Sequence, residues 1–249
     1  SSKIVGWRRD LHQIPETGLK CPKTAEYICC QLREMGIPYQ TYEEHSGITA
    51  LIGKKEGKVI ALRADMDGLN IAEQNNFSYA SKNGKMHACG HDAHVAILLG
   101  AAKLLKEEEK NLNGIVKLIF QPDEEGLTGA KAMIKDGVLE NPKVDCMYTL
   151  HVGSIIGHGT QIGDLLYKTG PVFASSDGFR IVICGKGGHA SGPDQVNNPI
   201  LAAAAFIEAT QGLVARTAQS DVPTVLAITG INGGNGAVNI VPDTVEIVG

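Results

Sequence analysis

The stretch MHACGHDAHVAILLGAAKLL, residues 86–105, decides the reading of this chain. Its first half holds His87, Cys89, His91, Asp92 and His94. Its second half places Val95, Leu98, Leu99, Ala102 and Leu105 at intervals of three and four, the apolar stripe of a helix with one face in a core. Cys89 and His91 therefore form a Cys-x-His pair at or just before a helix N-terminus. There a loop can present thiolate sulfur and imidazole nitrogen to one ion, and the helix dipole favours an anion. Zinc and its neighbours accept such donors. Taken one at a time, Cys89 reads better as a small buried hydrophobe and the histidines as solvated or capping residues. Their concentration turns the reading towards metal.

Working outward, residues 47–53 and 58–65 are β-branched or alternating runs on either side of Lys54-Lys55-Glu56-Gly57, whose composition predicts a tight hairpin turn. The second run delivers Asp65-Met66-Asp67, with two carboxylates two positions apart and so on one face of an extended segment. Further upstream, residues 4–13 read as a short helix ended by Pro15. A second helix, capped by Thr24, carries Ala25, Ile28, Leu32 and Met35 before Gly36 and Pro38 stop it. Downstream, residues 114–120 read as a buried strand that Pro122 terminates, leaving Asp123-Glu124-Glu125-Gly126 as a loop at its carboxyl end. Residues 128–135 read as a helix closed by Gly137, and 144–152 as a strand ending on His151. This alternation predicts an α/β sheet with its site along one rim, where Asp65, Asp67, Glu124, Glu125 and His151 all fall. Adjacent glutamates diverge in an extended loop, so one can hold a metal while the other takes a proton from water.

The character changes around residues 168–176. A strand at 179–184, the turn Gly185-Lys186-Gly187-Gly188, His189, a helix from 199 to about 216, and strands at 224–229 and 245–248 around a glycine-rich turn at 232–236 suggest a smaller α+β domain. The expected organisation is residues 1–172 for an α/β catalytic domain and 173–249 for the smaller one.

The 249 residues, 43% hydrophobic and 20% charged, suit a globular protein with a sizeable core. A formal net charge of -4 without a long basic run argues against nucleic acid or an anionic membrane as partner. Six cysteines, two of them the neighbours Cys29 and Cys30, read as reduced thiols in a cytoplasmic setting. No apolar run reaches membrane-spanning length, and residues 1–10 lack the apolar core of a signal peptide.

RRDLHQIPETG (8–18), ALRADMDGL (61–69), MHACGHDAH (86–94), FQPDEEGLTGA (120–130), LHVG (150–153), GKGGHASGP (185–193) and GGNGAVNIVPD (233–243) occur in one order over nearly the whole chain. That set resembles the M20 metallopeptidases, in particular their aminoacylase and amidohydrolase branch of hippurate hydrolases, auxin-conjugate hydrolases and N-acyl-diaminopimelate deacetylases. The resemblance implies a zinc-peptidase-like catalytic domain, a mixed sheet flanked by helices, with an inserted α+β lid or dimerisation domain.

By the same resemblance, Cys89, His91, Glu125 and His151 are metal ligands, Glu124 is the general base, and Asp67 orients a metal-binding residue. Asp65 stands where other branches keep a histidine ligand. His189 resembles the lid histidine that reaches the substrate carbonyl, often across a dimer interface, and Asn239 a lid residue near the substrate carboxylate. The implied cofactors are two divalent metal ions per subunit, Zn2+ or Mn2+ first and Co2+ or Ni2+ as alternatives. The implied substrate is a small N-acyl amino acid, and the implied assembly a homodimer through the lid. The family's remaining ligand histidine lies in a segment after the lid, so the chain is expected to be truncated within the lid domain, with His12, His45, His87, His94 and His158 as candidate substitutes. Two other readings stand beside this one: a metal-binding or dimerising module without catalysis, and a dipeptidase or carboxypeptidase of the same family.

Overall fold

The computed structural model describes residues 2–54, 56–153, 161–170, 172, 175–217 and 224–249. The chain divides into two units, Ser1–Thr160 and Gln161–Gly249. The first contains helices α1 (Ser2–His12) and α2 (Pro22–Glu34), strands β1 (Tyr39–Thr41), β2 (Ile48–Gly53) and β3 (Lys58–Asp65), helix α3 (His91–Glu107), strand β4 (Gly114–Gln121), helix α4 (Gly129–Lys135) and strand β5 (Cys146–Thr149). Their sheet has the order β1-β2-β4-β3-β5. Strands β4, β3 and β5 run parallel, while β2 joins β4 and β1 joins β2 antiparallel. The result is a mixed sheet flanked by helices.

The pleat of β4 sorts its side chains between two cores. Leu118 and Phe120 pack with Val95, Leu98, Leu99 and Ala102 of α3 and with Trp7 and Leu11 of α1. Ile119, one residue out of phase, packs on the opposite face with Met133 of α4 and Val138. Helices therefore cover both faces, and the crossover from β3 leads to β4 on one side while the next leads to β5 on the other. Such a reversal of strand order gathers the loops at the carboxyl ends of the strands around one crevice.

Two local expectations are corrected. The runs at 48–53 and 58–65 are strands, but they do not form a hairpin, because β4 inserts between them, antiparallel to β2 and parallel to β3. Turn composition reports a reversal of direction and not which strand later fills the gap. Thr24 does not cap α2: Pro22 starts the helix two residues earlier with Cys21 at the N-cap position. Thr24 lies inside the first turn, where its amide and hydroxyl both donate to Glu16 Oε2, at 3.0 and 3.1 Å.

The second unit contains β6 (Arg180–Cys184), β7 (Gly188–His189), α5 (Pro199–Gln211), α6 (Leu213–Thr217), β8 (Gly230–Gly233), β9 (Ile240–Val241) and β10 (Thr244–Val248). Strand β10 lies between β6 and β8, antiparallel to both, and Val245 and Ile247 pack against Ala203 of α5. The helix expected from 199 is broken at Gly212. The strand expected at 224–229 forms instead at 230–233, where the register Val245↔Gly233 to Val248↔Gly230 places it. Strands β7 and β9 form a separate pair.

Candidate metal centre

One rim of the first unit collects the candidate ligands. Asp65 ends β3 and Asp67 follows it. Glu124 and Glu125 follow β4, His151 follows β5, and Cys89 and His91 stand at the start of α3. Gly90 between the last two has φ 94°, and a Cβ there would lie 2.6 Å from Val152 Cγ2. Both the backbone and the space require glycine. This turn makes fully buried His91 the first residue of the helix.

His91 is the hub. Its Nδ1 lies 3.3 Å from Asp67 Oδ1, an acceptor-only atom, so that nitrogen carries the proton and Nε2 is turned to the rim. Nε2 is buried and makes no hydrogen bond, although Asp65 Oδ2 and Glu125 Oε1 stand 3.8 Å away and Glu124 Oε2 4.0 Å. Those separations are too long for hydrogen bonds and match donors that share a cation, since bonds of about 2.0–2.3 Å to one ion leave ligand atoms roughly 3–4 Å apart. Cys89 Sγ lies 3.3 Å from His151 Nε2, and His151 Nδ1 donates to the Val152 carbonyl at 2.6 Å, which fixes Nε2 as the coordinating nitrogen. Among the described residues three groups could each hold an ion: Cys89, His91 and His151; His91, Glu124 and Glu125; and Asp65, His91 and His94.

The electrostatics also fit cations. Burial pushes the Cys89 thiol up to about 12, reinforced by Glu125, Glu124 and Asp65. Burial and the charge of Asp65 raise the Glu124 carboxyl above its ordinary value. His91 is raised as well: burial works against its charged form, but Asp67, Asp65 and Glu125 outweigh it. Burial also works to raise Asp65, yet the hydrogen bond from His94 and the charge of Arg63 bring it to about 2. A pocket of mutually repelling acids around an unpartnered imidazole nitrogen is relieved by positive charge.

The glutamate loop is held in an uncommon shape. Asp123 and Leu127 have φ of 52° and 59°, both in the left-handed region. The Thr128 hydroxyl donates to the Asp123 carboxylate, and Gly129 has no room for a Cβ, which would lie 1.6 Å from the Pro122 carbonyl oxygen. Backbone strain of this kind persists where surrounding contacts enforce it, as at functional sites. The Glu125 amide is fastened to Asp67 Oδ2 at 3.1 Å.

The structure thus brings together Cys89, His91, Glu124, Glu125, His151, Asp65 and Asp67. His189 and Asn239 belong to the second unit, where His189 Nδ1 accepts from the Ser191 amide at 3.2 Å and the Asn239 carbonyl accepts from the Ala190 amide at 3.0 Å. Of the candidate substitutes, His12 and His45 join none of the three groups. His12 sits between Asp92 and Glu73, at 2.7 and 3.1 Å, and His45 between Asp136 and the Gly47 amide, at 3.1 and 3.0 Å. Buried His87 is held uncharged by its surroundings, which lower it to about 4. His158 lies outside the described residues. Sequence reasoning missed the brace behind α3, in which Arg8 Nε and His12 Nδ1 both donate to Asp92 Oδ2 at 2.7 Å. The motif at 8–18 contained both residues, but nothing in it named their partner.

The family model for peptidase family M20/M25/M40 matches residues 61–245. An IAA-amino acid hydrolase ILR1-like 4 of Arabidopsis thaliana is 43% identical over 99% of this chain and 54% of its own length. An N-acetyl-L-cysteine deacetylase of Bacillus subtilis is also 43% identical, over 99% of this chain and 58% of its own length. The crystal structure of a dinuclear metal-binding peptidase of the M20 family from Bacillus subtilis superposes with a TM-score of 0.72 at 36% identity, covering 100% of this chain and 63% of that one. The chain spans about half the length of the curated relatives it matches. Among the described residues no helix is long and apolar enough to cross a membrane.

Proposed function

The chain belongs to peptidase family M20/M25/M40, and from that footing we propose that it carries the metal-holding half of a hydrolase that cleaves the amide bond of N-acylated amino acids. The observation that carries this reading is His91 Nε2, buried and without a hydrogen bond, in a residue that falls in one group with Cys89 and His151 and in another with Glu124 and Glu125. Cys89, His91, His151 and Glu125 would hold two divalent cations, Zn2+ or Mn2+ by their mixture of thiolate, imidazole and carboxylate donors. When bound, such a pair supplies charge neutralisation and Lewis-acid polarisation of the scissile carbonyl.

The remaining work falls to the chain's own side chains. Glu124, raised by burial and Asp65 and still partly open to solvent, accepts a proton from the attacking water and returns it to the departing amine nitrogen. Asp67 holds the His91 tautomer and the Glu125 backbone. For the second unit the resemblance supports His189 as a donor to the substrate's carbonyl oxygen, Asn239 as a donor to its carboxylate, and residues 173–249 as the part that pairs two subunits. The relatives named for IAA-amino acid and N-acetylcysteine substrates support an acyl amino acid in this role.

The test measures bound metal and turnover together in the intact protein, on N-acetyl amino acids, N-benzoyl amino acids and dipeptides side by side. Two ions per subunit with preferred cleavage of the acyl amino acids is the expected result. Preference for dipeptides assigns a peptidase instead, and one loosely held ion without turnover removes the enzymatic reading.

A further inference from the structure

Strand β5 stops at Thr149, and the exposed residues Leu150 and His151 follow it. The imidazole that faces Cys89 is thus carried just beyond the end of that strand. The next residue, Val152, makes three contacts, one to His151 itself and two to the start of α3. Its carbonyl accepts from His151 Nδ1 at 2.6 Å. Its side chain rests over Gly90, where even one added carbon would collide with it. Its amide donates to His94 Nε2 at 2.9 Å.

The third contact fixes the chemistry of His94. A backbone N–H can only donate, so Nε2 must be the unprotonated ring nitrogen, and the proton sits on Nδ1. Nδ1 faces Asp65 Oδ1, the right partner for a donor. Asp65 is anchored in turn by Arg63 Nη1 at 2.8 Å, and Arg63 by Gln121 Oε1 at 3.0 Å through its Nε. His94 is 2% exposed and Asp65 1%, so water does not compete for these bonds. A rigid relay therefore runs from strands β3 and β4 through His94 to the amide beside His151. His94 also lies close to Asp65 and His91 in the third of the metal-capable groups, but both of its ring nitrogens are already committed.

We propose that His94 is a positioning residue: through the Val152 amide it sets where the His151 imidazole stands against Cys89 and His91, and it binds no metal itself. This rests on the metal-holding role given above to Cys89, His91 and His151.

The test uses three variants of the intact protein. His94→Gln keeps an acceptor near the place of Nε2, His94→Asn keeps only a donor towards Asp65, and His94→Leu keeps neither. In metal-free protein, hydrogen exchange followed by NMR should show the Val152 amide protected in the parent and in His94→Gln, and unprotected in the Asn and Leu variants. In Co2+ titrations followed by the thiolate-to-cobalt absorption of Cys89, the Asn and Leu variants should bind the thiolate-linked ion about 10–100-fold more weakly. His94→Gln should bind it like the parent, and the other ion should be unaffected throughout. An unprotected Val152 amide in the parent overturns the proposal, as does equal binding by the Gln and Asn variants. Loss of a whole ion in His94→Gln overturns it too, by making His94 a ligand. If the parent binds no cobalt, the metal reading fails while the exchange of Val152 still judges the relay.

Discussion

Asp67 and Glu125 are joined through the backbone: the Glu125 amide donates to Asp67 Oδ2 at 3.1 Å, while Oδ1 of the same carboxylate takes the proton of His91 Nδ1 at 3.3 Å. One buried carboxylate thus sets both the loop that bears the glutamates and the tautomer of the central imidazole.

Asp67→Asn tests that double duty. An asparagine offers one carbonyl oxygen and one NH2 group in place of the two carboxylate oxygens, so whichever way it turns, an N–H faces a donor. If it faces the Glu125 amide, the glutamate loop is pushed away. If it faces His91, the imidazole can satisfy it only by moving its proton to Nε2, the nitrogen needed for a cation. Either outcome should weaken metal binding by about 10–100-fold in competition with a chromophoric chelator. Affinity within twofold of the parent would show that Asp67 orients neither group.

Glu124→Ala separates holding the metal from moving the proton. Glu124 Oε2 is 4.0 Å from His91 Nε2, but Cys89, His91, His151 and Glu125 remain when it is removed. Metal stoichiometry should therefore persist while turnover of an N-acyl amino acid falls by roughly 10²–10⁴-fold, the range for loss of a general base. Unchanged turnover would take Glu124 out of that role.

How much of this was legible in the sequence differs from element to element. Helix α3 and the strands β3 and β4 were readable because hydrophobic periodicity records burial directly, and the rim followed from where Pro122 and the acidic residues interrupt it. Pairing was not readable. The turn at residues 54–57 looked like a hairpin because local composition cannot report that β4, from more than fifty residues further on, divides β2 from β3. Lys117 shows a second limit: it lies within a strand read as buried, and it is 2% exposed. Its ammonium donates to the Asn141 and Pro142 carbonyls at 2.9 and 3.3 Å, acceptors that no local pattern around position 117 names. The hold of Arg8 and His12 on Asp92 was hidden for the same reason.

Cys21 gives a stability test away from the rim. Its side chain is wholly buried, with Sγ 3.3 Å from the Gly18 carbonyl. Burial, helped by the charges of Glu16 and Asp67, pushes its thiol from 9.0 up to about 12. In the unfolded chain the thiol returns to its ordinary value, so between those limits the unfolded state releases a proton that the folded state keeps. The stability linked to Cys21 is therefore complete below about pH 9, and it falls as pH rises towards 12, at up to about 1.4 kcal/mol per pH unit. Trp7 is the chain's single tryptophan, buried at the α1–α2 contact with Nε1 donating to Gln31 Oε1 at 2.6 Å, so its fluorescence reports unfolding of this unit. Urea midpoints measured under reducing conditions should fall less steeply above pH 9 in Cys21→Ala than in the parent. Cys29, also raised by burial, keeps part of the slope. The smaller alanine lowers stability at every pH by a constant amount, so the change in slope isolates the thiol. Parallel slopes would mean that Cys21 ionises in the folded protein as readily as in the unfolded one.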